Sequence, residues 1–251
     1  MKTEIYVATH KQYQMPNHSI YVPIHVGKAN NDQDFGYIGD DTNDNISLKN
    51  NEYCELTALY WLWKNSQADI VGLVHYRRYL GLKEGNEIIK EKKILEIFKE
   101  NPKNIIVPKE KNYYIENIYT HYKNAHHIQD LINTRLVIEK KYPEYLSSFD
   151  EIMSSKKLRL YNMFIMPKTM SDLYCEWIFT ILFEVEKNSN TADYSIYQKR
   201  LYGFLSERLF NVWIQKNQFN LIEANVINIE KENKKLKLLN YAKRKILKCK
   251  L

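Results

Sequence analysis

The stretch Asp69-Ile70-Val71-Gly72-Leu73-Val74-His75-Tyr76-Arg77-Arg78-Tyr79 decides how this chain is read. Six residues of almost unbroken apolar character follow a polar turn, which is the pattern of a short strand buried on both faces of a sheet. The run stops abruptly at a histidine, two arginines and two tyrosines. In open α/β sheets ligands bind outside the carboxyl ends of the strands, and this strand end carries chemistry suited to an anion. Arginine presents a planar fork of donors that matches phosphate oxygens, so Arg77 and Arg78, with His75 beside them, suit a diphosphate. The bland alternative is a pair of surface arginines held by acidic neighbours; the strand-end position favours a site.

On the N-terminal side of this stretch, residues 5–9 and 20–26 read as short β-branched strands. Residues 27–52 form a long segment rich in Gly, Asn and Asp, and residues 52–64 form a helix with Leu56, Leu59, Tyr60 and Trp63 on one face, capped by Asn50 or Asn51. On the C-terminal side, helices are expected over 87–100, 129–141, 147–154, 170–187 and 197–215, and strands over 104–108, 160–166 and 221–229. Residues 112–127 read as irregular. Strands alternating with helices predict an α/β fold with a mainly parallel central sheet flanked by helices. Residues 1–230 form one catalytic-sized domain without internal repeats, followed by a tail at 231–251.

Composition sets the bounds. The 251 residues are 44% hydrophobic, enough for a sizeable core, and the formal net charge is +7. That charge is uneven. Nine Lys/Arg and one Glu fall within 231–251, so the tail carries +8 and residues 1–230 sum to −1. A nearly neutral body argues against a nucleic-acid partner, which would need its basic patch on the fold itself. The tail places Leu236, Leu239, Ile246 and Leu247 among lysines, a basic amphipathic pattern able to lie on an anionic membrane surface. Cys54, Cys175 and Cys249 have neither metal-ligand nor disulfide spacing, and no signal-peptide core opens the chain. Together these lead to the expectation of a cytoplasmic protein, peripheral at the inner face of the plasma membrane.

Several other residues carry chemistry. The segment from Gly36 to Ser47 is rich in carboxylates and amides, and Asp40, Asp44 and Asn45 suit ribose or sugar hydroxyls, or a cation. It lacks the spacing of a calcium loop. His126 and His127 suit acceptor binding or proton transfer, and Asn162 lies on a strand in a position to join them. Gly203 falls inside a helical pattern, where it is costly unless something approaches closely, and Glu207 shares its face. Glu207 is the leading candidate for a general base, with His75 and Asp193 as further catalytic candidates. Trp61, Trp63, Trp177 and Trp213 fall at core spacing.

Taken together, Ile5-Tyr6-Val7-Ala8-Thr9-His10-Lys11, Tyr37-Ile38-Gly39-Asp40, Asn45-Ile46-Ser47, Tyr53-Cys54-Glu55-Leu56-Thr57, Gly72 to Tyr79 and Gly203-Phe204-Leu205-Ser206-Glu207-Arg208-Leu209-Phe210 resemble the DUF4422 family. Its members occur among bacterial capsule and exopolysaccharide synthesis enzymes and are regarded as glycosyltransferases. The resemblance implies a GT-A-like fold and a nucleotide-sugar donor, UDP-linked, with galactofuranose transfer associated with some relatives. It implies a growing, lipid-linked saccharide as acceptor. It would set Ala8, Thr9 and His10 against the nucleotide base, and Tyr76, Arg77 and Arg78 at the diphosphate. GT-A enzymes hold Mg²⁺ or Mn²⁺ with an Asp-x-Asp at the end of a central strand; here that strand runs into His75-Tyr76-Arg77-Arg78, so no cofactor is assigned. A non-catalytic sugar- or nucleotide-binding protein, or a phosphotransferase of the same pathway, are the competing readings.

Overall fold

The structure, a computed structural model, describes residues 1–82 and 87–229. In chain order the strands and helices are β1 (Thr3–Thr9), β2 (Tyr21–His25), β3 (Ile38–Gly39), α1 (Asn50–Tyr53), α2 (Leu56–Asn65), β4 (Ile70–His75), β5 (Arg78–Gly81), α3 (Glu91–Glu100), β6 (Asn104–Pro108), β7 (Lys111–Asn112), α4 (Ile118–Ala125), α5 (Ile128–Lys141), α6 (Leu146–Ser154), β8 (Lys157–Leu158), β9 (Phe164–Pro167), α7 (Lys168–Lys187), α8 (Leu201–Asn217) and β10 (Asn220–Asn228).

The α/β class stands, but the sheet is mixed rather than mainly parallel. β3, β2, β1 and β4 run parallel in that order, with Ala8 beside His75 and Thr9 beside His25. β4 then pairs antiparallel with both β5 and β9, β9 with β6, β6 with β10 in parallel, and β10 antiparallel with β5. The five strands β4, β5, β10, β6 and β9 therefore close into a ring, to which β1–β3 are attached as a parallel wing. The expectation failed at Arg78-Tyr79-Leu80-Gly81. Only Tyr76 and Arg77 separate β4 from β5, so the chain reverses in a two-residue turn instead of entering a loop.

Alternation along the strands explains the layering. In β1, Ile5 and Val7 join one core while Tyr6 and Ala8 join another; in β4, Ile70 and Val74 part from Val71 and Leu73 in the same way. Strands buried on both faces must be apolar throughout, which is why they were legible. α3 covers the first core with Ile94, Ile97 and Phe98. The second core lies under α2 and α4 to α8, with Trp61, Trp177 and Trp213 buried in it, while Trp63 stacks on Phe179 at 5.8 Å.

Two further expectations are corrected. The helix predicted over 52–64 is broken at Cys54, whose φ of 53° separates α1 from α2. Residues 118–125, read as irregular, form α4, capped by the Asn117 side chain accepting from the Thr120 N–H at 2.8 Å. The tail at 231–251 lies outside the described residues.

Candidate active site

Thr9, His25 and His75 are the last residues of β1, β2 and β4, three adjacent parallel strands. Backbone bonds carry their register past the strand ends: the Val26 N–H donates to Thr9 O at 2.9 Å and the Tyr76 N–H to Ala8 O at 3.2 Å. Outside these ends opens a cleft of about 660 Å³. His10, Val26 and Arg77 form its sheet side. Asn50, Glu52, Cys54 and Glu55, around the α1–α2 break, face Ile196, Lys199 and Arg200 from the segment before α8. A cleft at the carboxyl ends of parallel strands is where this class of fold binds ligands.

Cations converge there. The Arg77 guanidinium lies 4.9 Å from the Tyr76 ring centre, and Lys11 Nζ lies 5.2 Å from the same ring. His10 meets Tyr76 edge-on at 5.4 Å. Burial lowers the His10 pKa, and the charges of Lys11, Arg77 and Arg200 lower it further. His10 is therefore neutral at pH 7, a hydrogen-bonding ring rather than a charge. Arg200 Nε donates to Cys54 Sγ at 3.2 Å, which pins the guanidinium at the cleft wall. Burial pushes the Cys54 thiol up to about 11, so it stays protonated and serves as a weak acceptor.

The hairpin sends the two arginines to different places, because Arg77 belongs to the turn whereas Arg78 opens β5. Arg77 faces the cleft. Arg78 stacks on the Tyr161 ring at 4.6 Å. Tyr161 and Asn162 both have positive φ, 76° and 51°, and lead the chain into β9. Such backbone costs about 1–3 kcal/mol per residue and persists where its surroundings dictate it. Here it aims three groups. Tyr161 O accepts from His75 Nε2 at 2.7 Å, so Nε2 carries a proton and the ring is held in one orientation. The Tyr161 N–H donates to Glu207 Oε1 at 2.8 Å. Asn162 Nδ2 donates to Glu55 Oε1 at 2.8 Å and to Gly203 O at 3.3 Å, which ties this elbow to the wall of the cleft.

Glu207 is 20% exposed and pairs with the buried Arg208 at 3.2 Å. Burial raises its pKa above the ordinary carboxylate value, against the opposing pull of Arg208 and the Tyr161 N–H. His75 and Glu55 lie close enough to act on it as charges. His75, Asn162 and Glu207, chosen on separate grounds in the sequence, are thus brought together.

Other expected residues are not. Asp40 is fully buried and accepts from the Gly27 N–H at 2.8 Å, the Lys28 N–H at 3.0 Å and the Ser47 hydroxyl. It braces the loop. Asp44 Oδ1 accepts from the Tyr60 hydroxyl at 3.1 Å, and Asn45 Nδ2 donates to Asp41 O and Asn43 O. None of the three lines the cleft. These acids do not offer a divalent ion a shared site, and among the described residues no three His, Cys, Asp or Glu side chains gather as metal ligands. His126 and His127 clamp the segment before α8. His126 stacks on Phe204 at 4.0 Å and bonds Gln198 at 3.2 Å, while His127 stacks on Tyr194 at 4.0 Å. The Tyr194 hydroxyl donates to the buried Asp130 at 3.0 Å. Asp193, in that segment, is exposed and outside the cleft lining. Ala8 contributes a backbone carbonyl, and Thr9 turns its hydroxyl to Lys11 O at 2.7 Å.

A family model described as a domain of unknown function, DUF4422, matches residues 4–218. The chain belongs to the DUF4422 family. Among solved structures, a bifunctional glycosyltransferase named WbbM, in its apo form, matches with a TM-score of 0.83 and 35% identity over 92% of this chain. This DUF4422 chain spans 46% of that protein. No curated protein sequence matches. The family match ends at 218, before β10.

Sequence reasoning missed Lys199, Arg200, Glu52 and Glu55. The first two form a basic pair just ahead of an apolar helix, a signal present in the segment but read only for Gly203 and Glu207. The glutamates were hidden because, in a continuous helix over 52–64, they read only as an i, i+3 acidic pair in its first turn, where acids are common.

Proposed function

We propose that this chain is a glycosyltransferase that moves a sugar from a nucleotide-activated donor to a hydroxyl of a saccharide acceptor. One observation carries the reading: Arg77, Lys199 and Arg200 converge on a cleft outside the carboxyl ends of three parallel strands, with the neutral His10 beside them. The cleft volume suits a sugar nucleotide. The likeness to WbbM and the parallel wing β3-β2-β1-β4 support a GT-A-like donor site. In this reading His10 and the backbone at Ala8 and Thr9 meet the base, and Arg77, with Lys199 and Arg200, holds the diphosphate.

The chemistry follows. The acceptor oxygen bonds to the anomeric carbon as the carbon–oxygen bond to the diphosphate breaks, and the nucleoside diphosphate departs with the electron pair. Charge grows on that leaving group, where fixed guanidinium groups stabilise it without reorganising. The acceptor proton passes to Glu207, whose raised pKa makes it a stronger base than an ordinary carboxylate.

Calorimetry with UDP and UDP-sugars tests the reading. Binding in the wild type that weakens about tenfold to a hundredfold in Arg77→Ala is expected, the worth of a charged hydrogen bond of about 1.5–3 kcal/mol. Arg77→Lys restores only part of it, because lysine lacks the fork. Absence of binding to any nucleotide or nucleotide sugar would overturn the assignment, and binding without product would favour a non-catalytic role.

We further propose that the acceptor is lipid-linked and that residues 231–251 hold the enzyme on an anionic membrane face. No described helix is long and apolar enough to cross a membrane. A chain ending at residue 230 is expected to lose sedimentation with anionic vesicles while keeping its melting temperature. Unchanged sedimentation would sink the idea.

A further inference from the structure

The polar path from Glu55 through Asn162 and Tyr161 to Glu207 does not end there. Beyond Glu207 stands a second group of side chains that the donor cleft does not use. The Tyr113 ring lies 4.2 Å from His121, whose Nδ1 is 3.0 Å from Glu116 Oε1. Tyr113 feels the charges of Arg208 and Glu207, with Tyr161 and Glu116 also near it. These residues come from separate parts of the chain, and the fold holds them firmly. The short β7–β8 pair and the bond from the Tyr113 N–H to Lys156 O at 2.8 Å fix Tyr113. The capped first turn of α4 fixes His121. Tyr113, His121 and Tyr161 are all half-buried, so each keeps part of its surface open to a ligand.

The chemistry of this group is that of a sugar site. Aromatic rings offer flat apolar faces to the C–H surface of a pyranose and keep a polar tip for its hydroxyls. Glu116 only accepts, so His121 Nδ1 carries the proton toward it and Nε2 is left with a lone pair for a hydroxyl donor. Burial and the Arg208 charge hold the His121 pKa down, which keeps that lone pair at neutral pH. His126 and His127, by contrast, already hold the segment before α8.

We infer that Tyr113, Glu116, His121 and Tyr161 form the acceptor subsite, taking a hydroxyl-bearing pyranose and presenting one hydroxyl to Glu207. The inference rests on the glycosyltransferase reading for its chemistry, but its test is independent of the donor. Saturation-transfer NMR with a panel of methyl hexopyranosides reads the subsite, and calorimetry with UDP on the same samples reads the donor cleft. Tyr113→Phe keeps the ring and should keep the saturation signal, whereas Tyr113→Ala should lose at least tenfold in apparent sugar affinity with UDP affinity unchanged. A wild type that binds UDP but saturates none of the glycosides overturns the subsite. Equal saturation in wild type and Tyr113→Ala, with both chains melting alike, also overturns it. Loss of saturation in Tyr113→Ala without UDP binding in any sample upholds a sugar site and refutes the donor reading instead. Where Tyr113→Ala melts earlier than wild type, His121→Gln replaces it, and retention of its signal counts against the proposal.

Discussion

Glu207 is the side chain whose protonation state decides most. Its burial favours the neutral acid, so its pKa in the folded chain lies above the ordinary 4.5. A base works only when deprotonated. Turnover is therefore expected to rise with pH through that elevated value, with the acidic limb of the kcat profile displaced upward from 4.5. Glu207→Gln should remove the limb and lower kcat by about 10²–10⁴ while leaving UDP affinity intact. The same shift has a stability consequence of opposite sign. The unfolded chain ionises this carboxyl first, so its contribution to stability is whole below 4.5 and is lost as pH rises through the native value. Glu207 was visible in the sequence as a carboxylate on the face of an unusual helical glycine. Its neighbours were not, since nothing local announces that Tyr161 and Asn162 adopt positive φ.

Two glycines separate at the level of the strand and the helix. A Cβ on Gly72 would meet Phe164 O at 2.8 Å and Ile165 Cγ1 at 3.0 Å, because β9 passes directly against β4. Gly72→Ala should cost about 1–3 kcal/mol, seen as a lower midpoint in urea. A Cβ on Gly203 would meet Cys54 at 3.6 Å, ordinary contact distance. The close approach expected at Gly203 is thus looser than the sequence implied, and Gly203→Ala should be neutral or stabilising by about 0.5–1 kcal/mol. The apolar strands β1, β4 and β6 and the amphipathic α5, α7 and α8 were legible, since burial dictates their patterns. The β4–β5 reversal was not. Its turn is built from Tyr76 and Arg77, without the glycine or asparagine that marks a tight hairpin. The functional reading therefore rested on the wrong backbone at this point: both arginines were assigned to one phosphate site, and the reversal points them apart.

The closed ring governs the molecule as a whole. β10 pairs with β6 through Asn220 to Ala224 and with β5 through Asn225 to Asn228, so a single strand completes the circle. A chain ending at residue 219 should expose the edges of β5 and β6, and an unpaired edge invites association. Such a chain is expected to be recovered largely in the insoluble fraction and to lose its cooperative melt, whereas the chain ending at 230 stays soluble. A soluble, cooperatively melting 1–219 would show that the ring is dispensable. Sequence pattern alone could suggest a strand near 221–229 but not its partners, since pairing at such separations leaves no local trace. The ring also sets a schedule for biosynthesis. β5 emerges from the ribosome some 140 residues before β10, and at about 5–20 residues per second that is roughly 7–30 s of waiting. During that interval the strand that follows Arg77 has an open flank, so the nascent chain passes through a stage in which a chaperone can hold what β10 will later cover.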